Sequence, residues 1–426
     1  MARTIRPARR IAGEVVVPGE VEPAAQALVL AAAAEGKSQV RNAPPGVAPV
    51  VRVLRQLGVE IEQRGDALEI HGEGLQGFGF SDQVLELDDW GDAALLLVAL
   101  LAVQGSSTRV RLKHSWESCR ELLELLRPMG AMGAWEGGGV FVVGGAGELV
   151  GIRCGAVDPD PALKLGVLVA GLCARGVTTL PESRKNRDPA LPLLSARKVA
   201  VGRQRESGTG MHLLSVEGDQ AIQPLSVQFG GDLDLTYPLL AAALVLKESQ
   251  LKVWRVALRA HKRAFLDLLR QLGGQLELQE NGDGTANLLA RYGELKSTRV
   301  AAGRMEKVSD QVALLAVLAT QSRGEFVIRD IEALRKGDYD QVAYLADLLR
   351  QINARVGEFS EGLVIKGGAP LRGVKVDCRE DPGLAQAFTV AGLLAENEMV
   401  LEGTNCMEEI HPGFFAVIDS LKEERR

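Results

Sequence analysis

The sequence predicts an α/β protein of two domains, each built from three copies of one β-α-β-α-β-β unit. Three observations carry that prediction. Apolar helix-strand segments recur six times along the 426 residues, at steps of roughly 70, and a repeat outweighs any single motif. Between them lie shorter amphipathic helices that end in glycine-type caps and lead into two strands around a glycine turn. Aromatic residues make up only 4% of a chain that is 46% hydrophobic, and cores rich in Ala, Leu, Val and Gly suit close helix-sheet packing.

The apolar segments open at Ala24 (AAQALVLAAAAEG), Asp92 (DAALLLVALLAVQG) and Pro161 (PALKLGVLVAGLCARG). Three more open at Leu235 (LTYPLLAAALVLK), Ser309 (SDQVALLAVLATQ) and Gly383 (GLAQAFTVAGLLAE). Each reads as a buried helix, a polar or glycine turn and a β-branched strand. The amphipathic helices read VVRVLRQLG, LLELLRPMG, LDLLRQLGG and LADLLRQIN. Glycine turns beside an acidic residue, at Pro18–Glu20 and Phe229–Asp232, mark the expected seams. They place one domain over residues 1–19 plus 231–426 and the other over 20–230. Two crossovers of that kind make a hinge, and the expectation is a ligand cleft between the domains.

Composition narrows the class. A net charge of −6 and a pI near 5.6 argue against a nucleic-acid or membrane-surface binder. The five cysteines contain no CxxC pair, so neither a disulfide frame nor a zinc site is expected, and a reduced, cytoplasmic protein fits. The run Ala93 to Val103 is too short to span a bilayer. The basic N-terminus is followed only by VVV, too little for a signal-peptide core. No metal and no cofactor are expected.

The local text resembles the family of 5-enolpyruvylshikimate-3-phosphate synthases. IAGEVVVPGE with ALVLAAAAEG, then LLRPMGA, VAGLCARGVTTL, DQVALLAVLA, IEALRKGDYDQV, AFTVAGLLAE and HPGFF fall in that family's order and spacing. The resemblance implies the two-domain enolpyruvyl transferase fold, with an inside-out α/β barrel in each domain and helix N-termini meeting at the cleft. It also implies transfer of the carboxyvinyl group of phosphoenolpyruvate to shikimate 3-phosphate. Both substrates are multiply anionic and need many cationic and hydrogen-bonding groups.

Most positions that the resemblance assigns to those groups hold other residues. Val21, Glu22 and Gln26 stand at the Lys, Ser and Arg of the opening turn. Ala94 replaces the second glycine of the turn that admits the phosphoenolpyruvate contacts, and Glu117 replaces an Arg. Asp160, Pro161 and Ala162 stand at the run that holds shikimate phosphate. In the second half, Gly337, Asp338, Tyr339, Asp340 and Gln341 stand at Lys-Glu-Ser-Asp-Arg. Gly383 replaces an Arg and Glu409 a Lys.

The remaining candidates are few. Asp310 matches the family's catalytic aspartate, although at the start of an apolar helix an N-cap is the simpler reading. Asp338 is the second candidate acid, with Asp340 beside it, against the plainer reading of a solvated loop. Arg184, Lys185 and Arg187 form the best surviving anion-binding cluster; Arg187 and Asp188 match the family's Ser-Arg-Asp, and Lys185, Arg187, Asp188, Arg335 and Lys336 are the substrate-binding candidates. The basic loop from Arg259 to Ala264 is read as a polar rim, and Lys164 is expected to face solvent. The preferred reading is a pseudoenzyme that senses an unknown small molecule in the cleft or binds a protein partner. The alternative is a repurposed transferase or lyase acting on a less anionic substrate.

Overall fold

The structure is a computed structural model. It describes residues 2–424 apart from 89, 113, 156–157, 184–190, 207–209, 260–261, 299 and 301. The chain divides into two compact units, Met1–Gly19 with Gly230–Arg426, and Glu20–Phe229.

Three core helices anchor the unit Glu20–Phe229: Val21–Ala32, Asp92–Ala102 and Pro161–Gly171. Leu233–Val245, Val312–Thr320 and Pro382–Leu394 anchor the other. A helix that is apolar on every side must be buried on every side. In Asp92–Ala102 every residue from Ala93 onward is buried. Each such Leu or Val contributes about 1.5–3 kcal/mol of transfer free energy. The amphipathic helices instead expose one face and stop at left-handed residues. Gly58 (φ 91), Gly130 (φ 100), Gly273 (φ 88) and Asn353 (φ 70) stand there, where glycine or asparagine carries the least strain.

One sheet pattern recurs. In the first repeat the strand order is Ser226–Gln228, Glu35–Arg41, Ala67–Glu73, Glu60–Arg64, with the first pair parallel and the others antiparallel. The fourth repeat repeats it with Ala8–Val16, Gln250–Ala257, Thr285–Arg291 and Gln275–Glu280. The leading strands are exchanged. Ala8–Val16 precedes the first core helix in the chain, yet it pairs with the sheet of the fourth, Ala12 opposite Gln250. Ser226–Gln228 precedes the fourth core helix, yet it pairs with the sheet of the first, Ser226 opposite Gln39. This exchange makes the first unit discontinuous in sequence.

Two expectations are corrected. The first core helix begins at Val21 rather than Ala24, because Pro23 falls in its first turn, where a missing N–H costs nothing. Lys164 does not face solvent. It is fully buried in Pro161–Gly171, and its Nζ lies 2.7 Å from Asp158 Oδ1.

His411 is a second buried ionisable group, 3.8 Å through Nδ1 from Asp232. Burial, with some help from Lys262, outweighs the pull of Asp234 and brings its pKa down to about 4. The unfolded chain therefore takes up a proton near pH 6.5 that the folded chain refuses until about pH 4, so stability falls as pH drops through that window. We expect urea unfolding to show a loss of about 2–3 kcal/mol between pH 7 and 4.5 that His411→Gln lacks.

Candidate functional site

Several of the residues singled out in the sequence, among them Val21, Glu22, Ala94, Glu117, Asp160 and Gly383, lie at or beside helix N-termini, which carry partial positive charge suited to anions. In the unit Glu20–Phe229 the protein's own carboxylates occupy two of these ends. Asp92 opens its helix behind Gly91, which holds φ 56. The Asp92 backbone N–H donates to Glu22 Oε1 over 3.3 Å. A Cβ placed on Gly91 would stand 3.1 Å from the Glu22 carboxyl carbon, so this glycine leaves room for that carboxylate. At the third core helix, Asp160 Oδ1 accepts from the N–H of Ala162 over 3.0 Å.

Among the described residues the other predicted positions in this unit carry no cation. Val21 packs onto the turn Pro45–Val47, its Cγ2 only 2.7 Å from where a Cβ on Gly46 would lie. Gln26 and Ala94 are buried. Glu117 is exposed in the first turn of Trp116–Leu126. Arg184, Lys185, Arg187 and Asp188 lie outside the described residues.

In the other unit the fifth and sixth repeats meet. A Cβ on Gly383 would lie 3.1 Å from Asp381 Oδ1 and 3.6 Å from the Asp310 carbonyl oxygen. Asp310 and the start of Pro382–Leu394 are thus adjacent. Asp381 caps that helix through the N–H of Leu384, over 3.0 Å. Asp310 does not cap its own helix. It sits exposed in the 3-10 turn Ser309–Gln311, and the N-cap of Val312–Thr320 is Gln311, without a side-chain bond. The capping reading of Asp310 is therefore corrected: the intervening 3-10 turn carries its carboxylate past the end of the helix.

Asp340, by contrast, is the cap of Gln341–Gln351, accepting from the N–H of Ala343 over 2.9 Å. That bond, with help from Arg335, holds its carboxyl below the usual range. Asp338, Lys336 and Gly337 are exposed, with Gln341 at the start of the helix. Arg335 is engaged by the protein itself. Its Nη1 donates to Asp340 over 2.8 Å and to Glu358 over 2.7 Å, and its Nε and Nη2 donate to the carbonyls of Ser360 and Phe359. Glu409 lies in the short helix Asn405–Ile410.

Three arrangements were not read from the sequence. Arg379 lies over both Tyr339 and Tyr344, 4.5 Å and 4.2 Å from the ring centroids. Its left-handed backbone (φ 52) is fastened by its own N–H to Asp377 Oδ1 over 2.9 Å. Tyr339 stands where the resemblance puts a serine, the one signal that could have pointed to an aromatic clamp there. The second is the Lys164–Asp158 pair, and the third is the Glu22 contact. The basic loop at Arg259 is neutralised in part: Lys262 Nζ lies 2.6 Å from Asp234 Oδ2, and Arg263 pairs with Glu280 at 2.8 Å.

The chemistry available is narrow. Burial pushes the thiols of Cys119, Cys173 and Cys378 up to about 12, so none is a thiolate nucleophile near neutrality. Among the described residues no group of three His, Cys, Asp or Glu side chains could hold a metal ion, and no helix is long and apolar enough to cross a membrane. A cavity of about 770 Å³ opens between Ala48–Gln56 and the hairpin carrying Gln63 and Leu68, and none of the predicted site residues lines it.

The sheet order and six buried helices define an α/β enolpyruvyl transferase fold. The chain is similar to the EPSP synthase of Acinetobacter baumannii, with a TM-score of 0.83 and 22% identity over 99% of this chain and 98% of that one. It is also similar to the enolpyruvyl transferase NikO of Streptomyces tendae, with a TM-score of 0.68 and 17% identity over 98% and 96% of the two chains. At those identities the likeness is one of fold.

The family model for EPSP synthase (3-phosphoshikimate 1-carboxyvinyltransferase) matches residues 5–418, and the chain belongs to that family. The 3-phosphoshikimate 1-carboxyvinyltransferase of Synechococcus sp. is 30% identical over 432 residues, covering 98% of this chain and 96% of that protein. The one from Brevibacillus brevis is 29% identical over 429 residues, covering 98% and 99%.

Proposed function

We propose that this chain is a non-catalytic member of the EPSP synthase family, which keeps the fold to sense a small molecule or to bind a protein partner. On this reading it does not transfer the carboxyvinyl group of phosphoenolpyruvate to shikimate 3-phosphate. The observation that carries the proposal is the Glu22 carboxylate on the amino end of Asp92–Ala102. The family's phosphoenolpyruvate contacts require that turn, and an anion arriving there would meet a fixed negative charge. Asp160 stands in the same relation to the end expected to take shikimate phosphate.

The contact can be tested by itself. Glu22→Ala removes the carboxylate, and with it the negative charge that faces the positive end of the helix and would repel an external anion. Sulfate at tens of millimolar is then expected to raise the melting temperature of the variant by a few degrees more than that of the wild type. Equal responses would count against the role given to Glu22.

One observation favours a second reading, a repurposed enzyme. Asp310 is exposed, is not spent on capping, and lies beside Gly383 and Asp381, so its carboxylate is placed to accept a proton from a less anionic substrate. A thermal-shift screen of metabolites separates the two readings. Hits confined to one chemical class, with product formation abolished by Asp310→Ala, would support the enzyme. Ligand binding without turnover would support the sensor.

A further inference from the structure

Arg197 is wholly buried in the unit Glu20–Phe229, with 0% of its surface exposed. It follows the helix Leu191–Ala196, and its backbone is held on both sides. Its N–H donates to the Leu194 carbonyl over 2.9 Å, and its carbonyl accepts from Gln223 over 3.1 Å. Lys198 then turns the chain in the left-handed region, φ 61. A backbone held in this way keeps the side chain directed inward.

Among the described residues the guanidinium has one hydrogen bond, from Nη2 to the carbonyl of Ala27 over 3.1 Å. Among the described residues its Nε and Nη1 have no partner. Burial alone pulls its pKa down to about 10, still well above neutral pH, so the group is charged. No carboxylate of the described residues contributes to that shift. An unpaired charge in the interior is strongly unfavourable, and unmet buried donors add to that cost. Water could meet the N–H groups but would leave the charge. A divalent phosphate or sulfate would replace one excess charge with the opposite one. A small monovalent anion meets both requirements.

We propose that Arg197 holds a chloride ion, bound against Nε or Nη1 inside this unit. The site is separate from the helix ends discussed above and does not depend on whether the chain is catalytic. A bound ion of this kind stabilises the folded state by mass action. The test compares melting in potassium chloride and in potassium gluconate at equal ionic strength, gluconate being too large for an enclosed site. The wild type is expected to melt roughly 5 °C higher in saturating chloride, and Arg197→Met is expected to show no difference between the salts. If that variant does not fold, crystals of the wild type grown in potassium bromide decide the matter, with an anomalous peak expected at hydrogen-bond distance from Nε or Nη1. A wild type that melts equally in both salts, or a bromide map with no anomalous peak at Arg197, would overturn the assignment.

Discussion

Mixed with shikimate 3-phosphate and phosphoenolpyruvate, the purified protein is expected to release no phosphate above the blank. The size of the effect follows from the missing groups. By the resemblance, Lys or Arg positions are held by Val21, Gln26, Glu117, Gly337, Gln341, Gly383 and Glu409. A charged hydrogen bond contributes about 1.5–3 kcal/mol net, so losing five removes on the order of 10 kcal/mol. That corresponds to about seven powers of ten in binding. Glu117 and Glu409 reverse the sign as well, and Arg335, a cation that remains, is bonded to Asp340 and Glu358. Turnover at a rate ordinary for enzymes, about 1–1000 per second, would refute the proposal.

The second large effect is on stability. Lys164 and Asp158 form a buried pair. Burial pushes the Asp158 carboxyl up, but hydrogen bonds from Lys164 and Ser183 outweigh it and hold the group below its usual range. Lys164→Ala leaves that carboxylate without its cation, and urea unfolding is expected to show a loss of about 3–5 kcal/mol. Lys164→Met, which keeps the stem, combined with Asp158→Asn should recover most of that loss, because a buried ion pair can often be replaced by uncharged groups at little cost. A loss under about 1 kcal/mol in Lys164→Ala would show that the pair is a solvated surface contact.

The fold was legible because its signal is redundant. Segments such as AALLLVALLA cannot form a stable exposed helix, and six of them at regular spacing require a shared core. Their ends were less legible. The starts expected at Ala24 and Ser309 moved to Val21, because a proline is tolerated in the first turn, and to Val312, because a 3-10 turn precedes it. The seams placed residues 1–19 with the second half of the chain, but the partner strands of Ala8–Val16 and Ser226–Gln228 and their registers were not legible, because alternation within one strand carries no information about its partner.

At the candidate site, residue types were legible and contacts were not. The sequence shows that Glu22 replaces a hydrogen-bonding residue. It does not show that the carboxylate reaches Asp92, which lies 70 residues on. Lys164 reads as polar in any pattern, and only the packed structure reveals that its amine is enclosed with Asp158. Asp310 shows the converse. A helix-start aspartate usually caps, and one turn of 3-10 geometry removed it from that role.

The central claim is that the family's anionic substrates have lost their binding groups. Titration calorimetry tests it without relying on turnover. Shikimate 3-phosphate is titrated into the protein, first alone and then with millimolar phosphoenolpyruvate. The prediction is no heat beyond dilution in either titration. Saturable binding of shikimate 3-phosphate tighter than about 1 mM, which is about −4 kcal/mol of binding free energy, would contradict it.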